Sequence, residues 1–582
     1  MTTSPAPAAF QRWCDTADAV RATTKRLEKS AALEAYFPTL DDAALAVAAR
    51  FFSGLPFPRH DQRTTSVGGA AVSDAIATVT GVTREALHAR VVAVGDLGDV
   101  VRLLLEEREA PPPASGRTLG DVAAEFDALA ATRGAHAKRD RVRDFLAALG
   151  PAEAQYAVKL LLGSGELRIG LKEAQVEEAL AKAFGHVAVG TTLGAVRHAN
   201  LLRGDVGEVA VLARGGRLAE ARLALFHPMG FMLAQPLETA QAIAAALPSP
   251  FAVEDKYDGI RAQAHVGPGA DGAVRVALYS RTLDEITHGY PEAAAALEAL
   301  GAGGGAGMIL DGELLAYDPA APLRALPVTA MQRRLGRKAP DAAVRAEVPV
   351  QFVAYDALAW GGALVIEESY EARRARLASL PWPEPPSSAA EGSALFARLT
   401  PHRLVSTAEE VEAAFAEARA AGNEGIIAKA LASPYTPGRR GKLWIKLKKA
   451  LATLDVVIVG AEWGHGRRAK VLSDYTFAVR ASEEDPTLLT VGKAYNGLTD
   501  AEIAGLTERL RALTVQTFGR FQQVRPEVVL EVTFDVVQKS ARHKAGYALR
   551  FPRILRVRDD KPASEVDTLA AVRALAGDAD EA

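Results

Sequence analysis

The sequence predicts a multidomain protein in which an all-α N-terminal part precedes an α+β middle part and an all-β C-terminal part. With 582 residues the chain is too long for one domain, because domains average ~150 residues. Apolar residues recur at three-to-four spacing through roughly the first 200 residues, which predicts helices. From about Phe226 strands mix with helices. After Lys449 short β-runs alternate with turns, as in a small antiparallel barrel.

Individual segments support each part of this prediction. Amphipathic helices are expected over residues 32–37, 41–52, 119–131 and 152–162. The proline-rich stretch 110–116 predicts an exposed loop between two helices. In the C-terminal part, strands are expected over residues 454–461, 476–480, 488–493 and 528–537.

Composition excludes several classes of protein. Apolar residues make up 49% of the chain and charged residues 24%, which is typical of a globular protein. Cys14 is the one cysteine, so an intrachain disulfide and a cysteine-based zinc module are both excluded. No run approaches the ~20 apolar residues of a membrane span, and the N-terminus lacks a signal-peptide pattern. We therefore expect no membrane association and a cytoplasmic location.

The charge distribution is more informative than the formal net charge of −3. Residues 433–450 contain six Lys or Arg and no acid, and residues 539–558 likewise contain only basic charges. A basic run is often only a solvated face. Two such runs in one chain nevertheless indicate contact with phosphate.

The stretch 254–259 (EDKYDG) places Lys256 between carboxylates. We expect a strand through this stretch, with Glu254, Lys256 and Asp258 on one face. Taken alone, such a lysine is equally consistent with half of an ion pair or with a nucleophilic amine. Free lysine has a pKa of ~10.4, and adjacent acids would raise it. A nucleophilic Lys256 would therefore need a bound metal ion to outweigh them.

Five further stretches follow Lys256 in a fixed order. They are 279–281 (YSR), 310–313 (LDGE), 352–356 (FVAYD), 424–429 (EGIIAK) and 444–448 (WIKLK). This ordered set resembles the nucleotidyltransferase motifs of the ATP-dependent DNA ligases, whose superfamily also contains RNA ligases and mRNA capping enzymes. Residues 549–553 (LRFPR), with the chain that continues to Lys561, resemble the family's sixth motif.

The resemblance implies three domains. They are a helical DNA-binding domain over residues 1–215, an adenylation (nucleotidyltransferase) domain over 216–450 and an OB-fold domain over 451–582. Residues 167–171 (LRIGL) and the helix after them resemble part of the DNA-binding domain. Without the resemblance, that stretch is equally well a turn between two core helices.

The resemblance also implies the chemistry. Lys256 attacks the α-phosphate of ATP, releases pyrophosphate and holds AMP as a phosphoramidate. AMP then passes to a DNA 5′-phosphate, and a 3′-hydroxyl displaces it. ATP is expected rather than NAD, because a chain with one cysteine cannot build the four-cysteine zinc finger of the NAD-dependent ligases.

Roles for other residues follow from their positions in the motifs. The resemblance implies that Glu254 selects the base and that Phe352 offers an aromatic face to adenine. It also implies that Arg261, Arg281 and Arg440 contact the nucleotide or the 5′-phosphate. Lys446 and Lys448 would contact the α-phosphate, and Arg550 and Lys561 would contact pyrophosphate. Glu313 and Glu424 are candidate ligands for Mg²⁺, and Mn²⁺ can use the same carboxylates. Taken alone, Phe352 would be a core aromatic and the two glutamates would be surface acids.

Three functional hypotheses remain at this point. The first is an ATP-dependent DNA ligase, monomeric, acting on nicked double-stranded DNA in replication, repair or recombination. The second is an RNA ligase or capping-type transferase, which a preference for nicked RNA would reveal. The third is a nick-binding protein without catalysis, which would form no adenylate. The N-terminal helical region favours the first hypothesis, and no motif identifies protein partners.

Overall fold

The structure, a computed structural model, describes residues 6–163, 167–269, 271–302, 307–318, 321–326, 328–336, 339–383, 397–448 and 452–576. The chain divides into two compact units. The first consists of Met1–Gly69 and Pro113–Lys449, and the second of Ala70–Pro112 and Ala450–Ala582. Among the described residues, no helix has the length and apolar character needed to cross a lipid bilayer.

The N-terminal part is helical, as predicted. Its helices are α1 (Phe10–Arg21), α2 (Arg26–Tyr36), α3 (Asp42–Phe52), α4 (Gly69–Thr80), α5 (Arg84–Val94), α6 (Leu97–Glu106), α7 (Leu119–Ala131), α8 (Ala135–Ala147), α9 (Pro151–Leu161), α10 (Glu173–Gly185), α11 (Leu193–Arg203) and α12 (Val206–Arg214). The predicted helix over 119–131 matches α7 at both ends. It begins after Thr118, whose hydroxyl accepts a hydrogen bond from the Asp121 amide.

Aromatic side chains hold several helices of the first unit together. Trp13 of α1 is fully buried and packs against Phe52 of α3 and Tyr156 of α9, with ring centroids 4.7 and 5.5 Å apart. The Tyr156 hydroxyl donates a hydrogen bond of 2.7 Å to the Asp18 carboxylate, which satisfies its buried polar group.

The middle part is α+β, as predicted. Its elements are β1 (Leu233–Pro236), α13 (Ala240–Ala246), β2 (Phe251–Lys256), β3 (Ile260–Pro268), β4 (Val274–Ser280), α14 (Pro291–Ala302), β5 (Met308–Asp318), β6 (Ala321–Ala325), α15 (Val328–Met331), α16 (Ala342–Glu347), β7 (Val350–Trp360), β8 (Ala363–Leu364), α17 (Tyr370–Ala378), β9 (Ala397–Leu399), β10 (His402–Val405), α18 (Ala408–Ala420), β11 (Gly425–Ala430) and β12 (Arg440–Lys448). The strands form two sheets. One has the order β1-β12-β11-β2-β10, and the other β4-β3-β5-β7-β8 with β6 and β9 attached.

The strand expected through Lys256 is in fact two strands, so Glu254 and Lys256 share a strand face as predicted, but the prediction is wrong for Asp258, which lies between the strands. β2 ends at Lys256, and β3 belongs to the other sheet. The chain turns at Gly259, where a Cβ atom would lie only 2.9 Å from Cγ of Glu313. Lys256 therefore lies at the end of a strand, where the chain passes from one sheet to the other.

The C-terminal part is β-rich, as predicted, with two helices. Its elements are β13 (Thr453–Trp463), β14 (Leu472–Arg480), β15 (Leu488–Ala494), α19 (Asp500–Leu513), β16 (Thr514–Phe518), β17 (Phe521–Val524), β18 (Val529–Thr533), β19 (Val536–Lys539), β20 (Tyr547–Arg550), β21 (Arg553–Val557) and α20 (Leu569–Ala576). The main sheet has the order β15-β14-β13-β17-β16, and β18 pairs with both β13 and β21. The strand expected over 528–537 is divided between β18 and β19.

Candidate active site

A cavity of about 230 Å³ opens in the middle part of the chain. It is lined by strands of both sheets, because β2 and β12 belong to one sheet whereas β3, β5 and β7 belong to the other. The predicted site residues that line it are Glu254, Lys256, Arg261, Arg281, Glu313, Arg440 and Lys446. The structure thus brings together residues that lie almost two hundred positions apart in the sequence.

Strand register places four charged side chains on one face of the first sheet. Two rows cross β2, β11 and β12: Lys256, Gly425 and Lys448 in one, and Glu254, Ile427 and Lys446 in the other. Residues two apart in a strand, and residues directly paired across strands, share a face. The two lysines of β12 therefore lie on the same side of the sheet as Lys256.

Glu424 connects these lysines. The Lys256 ammonium contacts the Glu424 carboxylate, and Nζ of Lys448 lies 3.7 Å from the same carboxylate. Burial, followed by the charges of Lys256 and Lys448, lowers the pKa of Lys446. Three cations thus surround one carboxylate, and this excess of positive charge suits a phosphate group.

Arg261 is held rigidly at the cavity wall. Its Nε and Nη2 donate hydrogen bonds of 3.1 and 2.7 Å to the buried carboxylate of Asp311, which also accepts one of 2.7 Å from the Tyr435 hydroxyl. The guanidinium lies 4.8 Å from the ring centroid of Phe231 and 5.7 Å from that of Tyr355. A planar donor fixed in this way can recognise a sugar or phosphate without reordering its side chain.

Glu313 and Glu424 are suited to hold a magnesium ion. Burial raises the pKa of the Glu313 carboxyl to about 8, although the nearby charges of Arg261 and Lys256 oppose the shift. Among the described residues no group of three or more His, Cys, Asp and Glu side chains is arranged around a metal position. Magnesium commonly uses only one or two carboxylates and completes its shell with substrate phosphates and water. Two hard oxygen ligands, both close to Lys256, fit that pattern.

The prediction that Phe352 offers its ring to adenine is wrong. Phe352 is fully buried and packs with Leu310 and Leu314 in the core of the second sheet. Tyr355, three residues further along β7, lines the cavity instead. Side chains alternate between the two faces of a strand, so residues an odd number apart point in opposite directions.

The remaining predicted residues differ in their surroundings. Arg440 is exposed and reaches the carbonyl oxygen of Ala234 at 3.4 Å. In the C-terminal unit, the Arg550 guanidinium lies 5.0 Å from the ring centroid of Phe551, and Lys561 Nζ donates a hydrogen bond of 2.8 Å to Asp455. Both side chains belong to the sixth motif.

Sequence reasoning missed several residues at or beside the cavity. Tyr355, Lys429 and Trp444 line it, and Asp311 and Tyr435 position Arg261. Four of the five lie within the motif stretches, so their sequence neighbourhood was a usable signal. Tyr435 lies outside those stretches, and only the tertiary structure reveals it.

The fold and the cavity together define a nucleotide-binding enzyme, and comparison with known families specifies which one. Residues 9–181 match the family "DNA ligase N terminus". Residues 231–448 match "ATP dependent DNA ligase domain", and residues 468–561 match "ATP dependent DNA ligase C terminal region".

Relatives agree over nearly the whole chain. It is 44% identical to the "Probable DNA ligase" of Koribacter versatilis, over 96% of this chain and 95% of the relative. It is 37% identical to the "DNA ligase" of Halorubrum lacusprofundi, over 92% of this chain and 93% of the relative. The solved structure "Pmar-Lig_PreS3" shares the fold, with a TM-score of 0.56 at 14% identity over 94% of this chain and 99% of that one. The chain belongs to the ATP-dependent DNA ligase family.

Proposed function

We propose that this chain seals nicks between a 3′-hydroxyl and a 5′-phosphate in duplex DNA, through AMP bound covalently to Lys256. One observation carries the proposal. Lys256 ends β2 at a cavity of about 230 Å³, with Lys446 and Lys448 on the same face of the sheet. These cations are placed to bind the phosphate that a nucleophilic Lys256 would attack.

The first step is an in-line displacement at phosphorus. The Lys256 amine forms a bond to the α-phosphorus of ATP, the bond to the bridging oxygen breaks, and pyrophosphate leaves. The Lys256 side chain is 21% exposed, so the proton it must lose can pass to solvent. Lys446 and Lys448 would stabilise the charge that develops on the α-phosphate oxygens.

The cavity wall would hold the nucleoside. The Tyr355 ring offers a flat face to adenine, and the Glu254 carboxylate can accept hydrogen bonds from its 6-amino group. Arg261, fixed by Asp311, is placed to contact the ribose or a phosphate. Arg281 and Arg440 at the cavity rim would bind nucleotide or the DNA 5′-phosphate.

Glu313 and Glu424 would hold Mg²⁺ or Mn²⁺. A bound divalent ion would supply charge neutralisation for phosphate oxygens next to Lys256. Arg550 and Lys561 would orient pyrophosphate, which is present only in the first step. The small residues and the lack of proline in 449–451 (KAL) would permit a hinge before the C-terminal domain, and these three positions lie outside the described residues.

The proposed substrate is nicked double-stranded DNA, in replication, repair or recombination. The match of residues 9–181 to the N-terminal domain of DNA ligases supports DNA over RNA. We further propose that the protein acts as a monomer in the cytoplasm, or at the nucleoid if the source is bacterial. The domain limits 1–215, 216–450 and 451–582 remain predictions.

The test is to incubate the purified protein with radiolabelled ATP or NAD and Mg²⁺, and then with nicked duplex DNA or nicked RNA. We expect label on the protein from ATP alone, followed by transfer and sealing on DNA. Labelling by NAD and not ATP, or sealing of RNA in preference to DNA, would refute the proposal.

A further inference from the structure

Lys429, on β11, is a deeply buried lysine in the wall of the cavity. Its side chain is 1% exposed, and its Nζ lies 2.7 Å from the carboxylate of Glu254. The same Nζ donates a hydrogen bond of 3.0 Å to the carbonyl oxygen of Tyr355. One ammonium group therefore holds both the carboxylate and the backbone of the aromatic residue that line the cavity.

Aromatic rings enclose this ammonium. Its Nζ lies 4.2 Å from the ring centroid of Trp444, 4.7 Å from that of Tyr370 and 5.2 Å from that of Tyr355. Cation–π attraction is strongest where water is excluded, and it offsets part of the cost of burying the charge. Such an arrangement keeps the cation in one place.

Glu254 is held from two sides. The Tyr370 hydroxyl donates a hydrogen bond of 2.5 Å to its Oε1, and Lys429 pairs with its Oε2. Its side chain is 3% exposed, yet it still lines the cavity. The partners thus fix a hydrogen-bond acceptor at the wall of the cavity that Tyr355 also lines.

A fixed carboxylate discriminates between purines by hydrogen-bond polarity. Adenine presents a 6-amino group, which donates to a carboxylate. Guanine presents a 6-oxo group, which can only accept and is repelled by a negative charge. Removal of Lys429 would leave Oε2 of Glu254 without its partner, whereas Oε1 would keep the Tyr370 hydroxyl and Arg374, whose Nη1 lies 3.9 Å away.

We propose that Lys429 is a positioning residue that sets the preference for ATP over GTP, by holding the Glu254 carboxylate oriented towards the base. This inference rests on the proposed function, since it concerns the nucleotide that adenylates Lys256. Lys429 itself does not touch the reacting atoms.

A purely structural role for Lys429 predicts a different result. If the sealed lysine only stabilised the fold, its replacement would reduce the amount of active enzyme equally for every nucleotide. The ratio of labelling efficiency, kcat/KM with ATP divided by kcat/KM with GTP, would then stay constant. That ratio separates the two roles.

The experiment measures self-labelling of the full-length protein with ATP, GTP and the triphosphate of purine riboside, which lacks the 6-amino group. In Lys429→Met we expect the ATP-to-GTP ratio to fall roughly tenfold or more, mainly through a higher KM for ATP, with label still on Lys256. The labelling efficiency with purine riboside triphosphate should fall little, because this nucleotide has no 6-amino group to donate a hydrogen bond to the Glu254 carboxylate.

Two further variants complete the test. Tyr370→Phe removes only the hydroxyl donor to Glu254 and should shift the ratio in the same direction by less. Arg334→Met removes another buried cation, which pairs with Glu292 and lies 5.6 Å from the Tyr290 ring, and it should leave the ratio unchanged.

The outcomes are distinguishable. An unchanged ratio in Lys429→Met overturns the inference. If that variant does not fold, an unchanged ratio in Tyr370→Phe does so, and a lowered one supports it. Failure of the wild-type protein to label with any nucleotide refutes the proposed function instead.

Discussion

Two lysine–glutamate pairs connect β2 to the β11 region, and they differ in solvent exposure and in the residues that surround them. In the open pair, Lys256–Glu424, the side chains are 21% and 31% exposed. In the sealed pair, Lys429–Glu254, they are 1% and 3% exposed. The open pair has further lysines as neighbours, whereas the sealed pair has aromatic rings. We propose that the open pair serves the chemistry and that the sealed pair serves positioning.

The difference is a matter of solvent and charge. A pair near solvent is worth little to stability, and its members can separate to meet a substrate. A pair without solvent is costly to break, because either partner alone is an uncompensated buried charge. We therefore expect substitutions in the open pair to remove activity and substitutions in the sealed pair to change stability and selectivity.

The largest expected effect lies in the open pair. Lys256→Ala should form no protein–AMP adduct and seal no nicks, because the nucleophile is absent. Lys442→Ala, which removes an exposed lysine from β12, serves as the control and should still be labelled. Radiolabelled ATP followed by gel electrophoresis measures the adduct. Undiminished labelling of Lys256→Ala would place the reactive lysine elsewhere.

The next expected effect concerns Arg550 and Lys561 of the sixth motif, which we propose are needed in the first step only. Arg550→Ala combined with Lys561→Ala should lower self-adenylation by orders of magnitude, since each charge-assisted phosphate contact contributes ~2–3 kcal/mol. Sealing of DNA that already carries 5′-AMP should remain substantial. Arg556→Ala is the control, because Arg556 pairs with Glu531 at the surface. Equal losses in both assays would rule out a role confined to the first step.

Substitution in the sealed pair should lower the stability of the protein more than substitution in the open pair. Lys429→Met should lower the stability of the strands around it by ~3–5 kcal/mol, as expected for a broken buried pair. Lys256→Met should change it by no more than ~1 kcal/mol. Hydrogen exchange of the β2 and β11 amides, measured by mass spectrometry, reports this locally. Similar losses in both variants would mean that exposure does not distinguish the pairs.

The smallest effect concerns the aromatic wall between the pairs. Tyr355→Ala should raise the KM for ATP roughly tenfold, because stacking on a base contributes ~1–3 kcal/mol. Phe352→Leu should leave the KM for ATP near its wild-type value and affect stability only. Steady-state labelling at varied ATP concentration measures both. A higher KM in the Phe352 variant alone would restore the original assignment of the stacking ring.

Much of the molecule follows from local sequence. Helix α7 was predicted at both ends from the three-to-four spacing of its apolar residues, and the structure adds that Thr118 caps its first turn. The order of helical, mixed and β-rich parts was predicted from periodicity. Helix α19 was missed, since it interrupts a series of short strands.

Tertiary information accounts for the errors at the site. Alternation alone could not show that the chain changes sheets at Gly259, which turns one expected strand into two. Phe352 and Tyr355 lie in one motif, and only the packing of β7 decides which of them faces the cavity. In the sequence Lys429 is like any lysine in a strand, and only the tertiary structure shows the aromatic rings around it.

The central claim is that AMP becomes covalently attached to the lysine of the open pair, Lys256, and not to that of the sealed pair, Lys429. Peptide-level mass spectrometry of the wild-type protein after incubation with ATP and Mg²⁺ tests this directly. We predict a single AMP adduct on the peptide that contains Lys256. An adduct on Lys429, Lys446 or Lys448, with Lys256 unmodified, would contradict the account.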